Sequence, residues 1–287
     1  MSGYARLVGH VVRWANAANP LPRGQAWTAK MGHRIGAELP PGIYRIARGV
    51  RMELDTRDSL ERAIAFLIYE VRTTRRVMTR VRPGMVICDA GANIGYYTLQ
   101  FRARVGSGGR VLAFEPHPHT RERLQRNLAL NGYADVAVLP YAVGDHNREV
   151  ELSTPVGRTH GESTLGTVDG EGVERHSVGM RTLESVWPEA VSRLDLIKVD
   201  VEGAEELVLE GAQELLRRHR PDLVMEVNTC AAEALGRDPY GAVRLALRCV
   251  PEYRIRVIDT PQVQAVQADD LDRVPGSSHN ILLTAGR

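Results

Sequence analysis

Acids recur in this sequence where apolar runs end, and their spacing outlines a ligand site. Asp89 closes the run Val86-Ile87-Cys88 and opens the loop D-A-G-A-N-I-G, in which Gly91 and Gly95 lie four apart. A buried strand running into a glycine loop, with a helix from about Gly95, puts Asp89 at the carboxyl edge of a sheet, where open α/β sheets bind ligands. Gly91 and Gly95 allow a tight turn and a close backbone approach to a ligand. Glu115 ends V-L-A-F twenty-six residues after Asp89. An acid there can accept hydrogen bonds from both ribose hydroxyls of a nucleoside.

The position of Asp89, ahead of its loop, discriminates between ligands. A dinucleotide loop, G-x-G-x-x-G, sets helix amides against a pyrophosphate, which Asp89 would repel. The acid suits a cationic amino group and a sulfonium, and so points to S-adenosylmethionine rather than NAD. Asp200 ends a fourth strand, Glu202 follows, and Gly203 opens the next helix. Three roles suit this pair: orienting a substrate hydroxyl or taking its proton, holding a divalent cation with another acid, or stabilising the helix start. The first is preferred over the metal. Glu226 and Asn228 end a fifth strand and are substrate-binding candidates. His160 and His279 are candidate bases, because imidazole titrates near neutral pH.

The elements that must hold these residues follow a strand–helix rhythm. Strand-like runs fall at 85–89, 110–115, 136–140, 194–200, 222–227, 253–258 and 280–284. Helical patterns cover 95–104, 118–130, 203–218 and 239–249. That alternation predicts a mostly parallel sheet with helices on both faces. Residues 141–186, rich in Gly, Ser and Thr, predict a β-rich insertion beside the ligand edge. Ahead of the sheet come an amphipathic helix over Tyr4 to Ala18, a proline-broken stretch, a hairpin over 43–55 turning at Arg48-Gly49, and one helix from an Asp58 cap to about Arg80. Residues 1–80 thus form a helical and hairpin extension, a lid or dimer arm, and residues 81–287 the main domain.

Composition removes several function classes. A net charge of +2 offers no global attraction for nucleic acid or an anionic membrane. The longest apolar run, Ala63 to Tyr69, is far shorter than the roughly 20 residues that span a bilayer. The amino terminus shows no signal-peptide pattern. Cys88, Cys230 and Cys249 fit neither a disulfide framework nor zinc spacing. A reducing, cytoplasmic setting is expected.

Taken in order, several stretches resemble the FkbM family of S-adenosylmethionine-dependent methyltransferases. They are D-A-G-A-N-I-G-Y-Y-T at 89–98, A-F-E-P at 113–116, N-L-A-L-N-G at 127–132 and A-V-G-D at 142–145. D-L-I-K-V-D-V-E-G-A-E at 195–205, V-L-E-G-A at 208–212, R-P-D-L-V-M-E-V at 220–227 and H-N-I-L-L-T at 279–284 complete the set. Residues 1–40 take no part.

The resemblance implies a class I methyltransferase (Rossmann-like) fold, with a seven-stranded sheet whose last strand is antiparallel. By position, Asp89, Gly91, Asn93 and Gly95 would surround the amino-acid part of the cofactor, flanked by Tyr96, Tyr97 and Thr98. Glu115, with Pro116, would hold the ribose. Ala142 and Val143 would lie along the adenine, and Asp200 beside the methyl group. The implied activity is O-methyl transfer to a small-molecule hydroxyl, on a sugar, a glycolipid head group or a natural-product scaffold. A homodimer through the amino terminus would suit the unmatched segment. The rivals are a nucleic-acid or protein methyltransferase, an NAD-dependent oxidoreductase and a non-catalytic nucleotide-binding module. Against base methylation, D-V-E-G stands where such enzymes carry Asn/Asp-Pro-Pro-aromatic.

Overall fold

In the computed structural model, the described residues are 3–18, 38–155, 164–165 and 173–286. Helix α1 spans Gly3–Ala18, and a hairpin of β1 (Gly42–Ala47) and β2 (Val50–Leu54) turns at Arg48-Gly49, where Gly49 takes φ +75°. Asp58 caps α2 (Ser59–Ala65) by accepting from the Glu61 N–H at 2.9 Å. The single helix expected to Arg80 is instead two, because Leu67 (φ 59°) and Glu70 (φ 40°) turn left-handed before α3 (Val71–Arg80). The apolar periodicity runs on across the break, so it gave no sign of it. The arginines of α3 tie elements together: Arg76 donates to the carbonyls of Ile258, Thr260 and Pro261, and Arg80 pairs with Asp222 at 2.8 Å.

Next come β3 (Val86–Ala90), α4 (Tyr96–Val105), β4 (Arg110–Phe114), α5 (Pro118–Leu130) and β5 (Ala137–Leu139). The insertion then folds as a separate sheet of β6 (Ala142–Val143), β7 (Arg148–Pro155), β8 (Thr164–Leu165) and β9 (Val173–Arg181), in the order β6-β9-β7-β8. After the short α6 (Leu183–Val186), β10 (Leu196–Val199), α7 (Glu205–Glu210), α8 (Gln213–His219) and β11 (Asp222–Asn228) return to the main sheet. The chain closes with α9 (Thr229–Ala234), α10 (Gly241–Cys249), β12 (Arg254–Val257), β13 (Gln264–Val266) and β14 (Ser278–Thr284).

The main sheet runs β13-β12-β14-β11-β10-β3-β4-β5. Strands β5, β4, β3, β10 and β11 pair in parallel, and β14 lies antiparallel between β11 and β12. All seven expected runs are present, with the reversed last strand. The sheet has eight strands rather than seven, because β13 adds an edge pairing with β12. Its three residues, Gln264-Ala265-Val266, are too few to show a strand period. The helix expected over 203–218 divides into α7 and α8 at Gly211, where a Cβ would lie 2.0 Å from the Gly144 carbonyl oxygen.

Both faces of the sheet are buried, which is why its central strands read as apolar runs rather than alternating ones. On one face Cys88, Leu112, Ile197 and Met225 pack with Val208, Leu216 and Val243. On the other Ile87, Val111, Leu196 and Val224 pack with Leu99 and Phe101. Met52, Leu54 and Ile64, from the hairpin and α2, join that second core. Truncating a fully buried aromatic such as Phe101 to Ala would cost about 3–5 kcal/mol.

Asparagines of N-L-A-L-N-G hold the hairpin and the glycine loop in place. Asn127 Oδ1 accepts from Glu53 N–H at 2.8 Å, and its amide donates to the Ile94 carbonyl at 3.0 Å. Asn131 Oδ1 accepts from Arg51 N–H at 2.8 Å.

Candidate active site

The carboxyl ends of β3, β4, β10 and β11 meet at one edge of the sheet. The chain leaves β3 toward β4 on one side and later enters β10 on the other, and this switch opens a crevice between β3 and β10. A cavity of about 430 Å³ lies there. Its size falls within the range of small-molecule sites.

The loop at its floor is shaped by close contacts. Gly91 sits at φ +82°, and a Cβ there would be 1.8 Å from the Asp200 carbonyl oxygen. Asn93 is left-handed at φ 50°, its Oδ1 accepting from Ile94 N–H at 2.7 Å. Gly95, at φ +101°, begins α4 against Leu124. Asp89 is fully buried: Oδ2 accepts from the Thr98 hydroxyl at 2.6 Å, whereas Oδ1 has no hydrogen-bond partner. Burial holds its carboxyl above the ordinary range, and Lys198 and Thr98 pull the other way. A buried acceptor lacking a partner at the base of a cavity fits a ligand that brings a donor.

Glu115 is fixed by two backbone donors, Asn93 N–H to Oε2 at 2.8 Å and His117 N–H to Oε1 at 2.9 Å. Each oxygen keeps a lone pair for a further donor. Burial pushes this carboxyl up to about 7 against those two bonds. Pro116, Ala142 and Val143 continue the wall, with Leu152 and Leu165 from the insertion.

Opposite lies an acidic group around a single buried amine. Lys198 Nζ is 2.9 Å from Asp200 Oδ2 and 4.7 Å from the Tyr97 ring centroid. Burial alone would lower the Lys198 pKa, but Asp200, Asp89 and Glu70 outweigh it and hold the amine well above its usual value. Glu226 accepts from Ser278 Oγ at 2.9 Å. Asp200 first and burial second push Glu226 up to about 8. Glu202 stands at φ 52° and Gly203 at φ +95°, where a Cβ would meet the Ala231 backbone. Glu205 pins this turn through Oε1, which accepts from Val201 and Gly203 N–H at 3.3 and 3.1 Å, and burial raises it to about 7. Among the described lining residues, Glu70, Asp89, Glu115, Asp200, Glu202 and Glu226 share the cavity with Lys198 as the one lysine or arginine.

Asp89, Gly91, Asn93, Tyr96, Tyr97, Glu115, Pro116, Ala142, Val143, Asp200, Glu202 and Glu226 thus line one cavity. Gly95 and Thr98 support it from behind. Asn228 is not among the lining residues; its side chain caps α9 through the Ala231 N–H at 3.1 Å. Neither is His279, which is buried on β14 with Nε2 3.0 Å from the Gly276 carbonyl. His160 lies outside the described residues. Asp200, Glu202 and Glu226 do not bring three ligand atoms within 4.8 Å of one another among the described residues.

Tyr69, Glu70 and Lys198 also line the cavity and were not expected from the sequence. Tyr69 and Glu70 follow the left-handed break after α2. Glu70 accepts from the Tyr97 hydroxyl at 2.5 Å, and Tyr69 packs edge-on against Tyr96 at 5.1 Å. No periodicity marks that break. Lys198 did leave a signal, since a lysine inside the buried strand L-I-K-V must have a charged partner.

The profile of the methyltransferase FkbM domain matches residues 89–249. The chain is 32% identical over 158 residues to methyltransferase sdnD of Sordaria araneosa, covering 45% of this chain and 60% of that one. It is 29% identical over 142 residues to the hexuronic acid methyltransferase AglP of Haloferax volcanii, covering 46% of this chain and 52% of that one. The chain therefore spans only about half to three-fifths of these relatives. The crystal structure of a methyltransferase FkbM from Methylobacillus flagellatus KT shares the fold, with a TM-score of 0.50 at 15% identity over 96% of this chain and 58% of that chain. With more than half of its length matched by the family profile, and with the sheet order and reversed strand of class I methyltransferases, this chain belongs to the FkbM methyltransferase family.

Proposed function

We propose that the protein is an S-adenosylmethionine-dependent O-methyltransferase whose acceptor is a hydroxyl of a small molecule, in the class of sugars, glycolipid head groups or natural-product scaffolds. The observation that carries this reading is the acid-lined cavity, with partnerless Asp89 Oδ1 at its base. A ligand bearing an ammonium and a sulfonium answers that charge, whereas a pyrophosphate does not. The AglP similarity supports a hexuronic acid as one acceptor to try.

When bound, the cofactor supplies a methyl group already activated on a positive sulfur. Asp89 takes the amino group, Glu115 the ribose hydroxyls, and Ala142 and Val143 the adenine face. Lys198 holds Asp200 in place, while Asp200 and Glu202 orient the acceptor hydroxyl. Glu226 takes the proton: near 8 in the free protein, its pKa falls once cationic charge neutralises the neighbouring carboxylates. Alignment supplies most of the rate, since effective molarities reach on the order of 10⁵–10⁸ M, whereas a base adds roughly 10²–10⁴-fold. Tyr69 and Glu70 carry the amino-terminal extension over the cavity as part of its wall, the place of a lid.

The test is transfer of isotope-labelled methyl from S-adenosylmethionine to separate pools of hexuronic acid glycosides, other hydroxylated small molecules, transfer RNA and protein. Label in a small-molecule ether supports the proposal; label confined to RNA or protein overturns it.

A further inference from the structure

A second cluster of ligating side chains stands outside the cavity. His117, Glu174 and His176 bring one ligand atom each to within 4.8 Å of one another, the one such group among the described residues. The His117 and His176 rings meet edge-on with centroids 4.6 Å apart, and Glu174 Oε2 is 3.7 Å from His176 Nε2. His119 flanks them, its ring centroid 5.8 Å from that of His117. None of the four lines the cavity.

Two imidazoles and a carboxylate form a set that binds zinc while leaving one coordination position open. Tetrahedral bonds of about 2.0–2.1 Å put neighbouring donor atoms roughly 3.3 Å apart. The Glu174–His176 pair is already close to that spacing, and the third atom needs a shift on the order of 1 Å. His117 is fully buried, and its Nδ1 is 3.2 Å from the Thr120 hydroxyl. The same Nδ1 accepts a long cap bond from the Thr120 N–H at 3.4 Å. Zinc at Nε2 calls for the other tautomer, in which Nδ1–H donates to Thr120 Oγ and that long bond is given up. The second ring nitrogen then orients the ligand from behind.

We propose that His117, Glu174 and His176 form a zinc site that fastens the inserted sheet to the turn carrying Glu115. His117 belongs to that turn and donates its N–H to Glu115 Oε1 at 2.9 Å. Glu174 and His176 lie on β9, which pairs with both β6 and β7, the strands that supply Ala142, Val143 and Leu152 to the cavity wall. A bound Zn²⁺ therefore links two cavity walls without touching the reacting atoms, and its effect falls on cofactor affinity rather than on turnover.

The experiment uses untagged, metal-stripped full-length protein titrated with Zn²⁺ in a calorimeter, and with Co²⁺ for its visible absorption. The expected result is one Zn²⁺ per chain and tetrahedral Co²⁺ bands. Zinc at about 100 times its dissociation constant should raise the melting temperature by about 5–10 °C. His176→Ala and Glu174→Ala, at partly exposed positions, should each weaken zinc binding by more than the roughly 10–100-fold that loss of an outer-shell partner costs, while melting like the metal-free parent. Metal removal should raise KM for S-adenosylmethionine and leave kcat within about twofold. No zinc binding, or binding that survives both substitutions, overturns the site. Binding with no change in melting temperature or KM overturns its role as a fastener.

Discussion

Replacing Lys198 by Met keeps most of the side-chain volume and deletes the ammonium that faces the cavity acids. In the native protein that ammonium is 6% exposed, 2.9 Å from Asp200 Oδ2, and also balances Asp89 and Glu70. Breaking a buried ion pair from one side costs about 3–5 kcal/mol, because the remaining charge stays buried. In a chain of this size each kcal/mol moves the melting temperature by about 2–4 °C. Lys198→Met should therefore melt roughly 6–20 °C lower near neutral pH.

The pH dependence carries a definite sign. The Lys198 pKa is raised above 10.5, so its contribution is fully present below that value and is lost only as the pH climbs past the folded one. The native amine is thus a constant term between pH 5 and about 9. In the variant, Asp89 and Glu70, already raised by burial, rise further. Acids with raised folded pKa values bind more protons folded than unfolded, so stability falls as pH rises through their range. The deficit should be largest at about pH 8 and shrink toward about pH 5, and Lys198→Met/Asp200→Asn should recover much of it. Urea unfolding at the two pH values reads this directly. A loss under about 1 kcal/mol, or one that does not change with pH, would show that Lys198 does not balance these buried acids.

Other perturbations give distinct outcomes. Glu226→Gln should stabilise the protein above pH 8, where the native carboxylate is ionised at a cost, with the gain fading below pH 4.5; melts at pH 9 and pH 4.5 check this. The same variant should lose roughly 10²–10⁴-fold in turnover at pH 8 if Glu226 is the base. Gly91→Ala drives a Cβ into the Asp200 carbonyl and should unfold the protein or lower its melting temperature more than Gly95→Ala, whose added Cβ meets only the movable Leu124 side chain. Glu115→Gln sets an amide donor against one of the two backbone donors and should weaken S-adenosylmethionine binding about 10–100-fold by calorimetry, with little change in the far-ultraviolet spectrum.

Most of the sheet was legible because its strands are buried on both faces and punctuated by glycine, proline and acids. Four of the cavity acids were legible for the same reason: Asp89, Glu115, Asp200 and Glu226 stand at strand ends, which a pattern of apolar runs locates directly. What escaped depends on backbone turns with no periodic signature. Glu70 reaches the cavity through two left-handed residues, and the expected helix over 203–218 is cut by a contact between Gly211 and Gly144. His117, Glu174 and His176 converge only because β9 folds back beside the start of α5, and residues so far apart in sequence show no metal-ligand spacing. Asn228 and His279 illustrate the reverse limit: position at a strand end marks a residue as near the edge, not as facing the cavity.

Calorimetric titration with S-adenosylmethionine and with NAD decides whether the cavity is built for a cationic nucleoside. One S-adenosylmethionine should bind per chain, about 10–100-fold more weakly after Asp89→Asn, and NAD should give no heat. Tight binding of NAD with none of S-adenosylmethionine would contradict that reading.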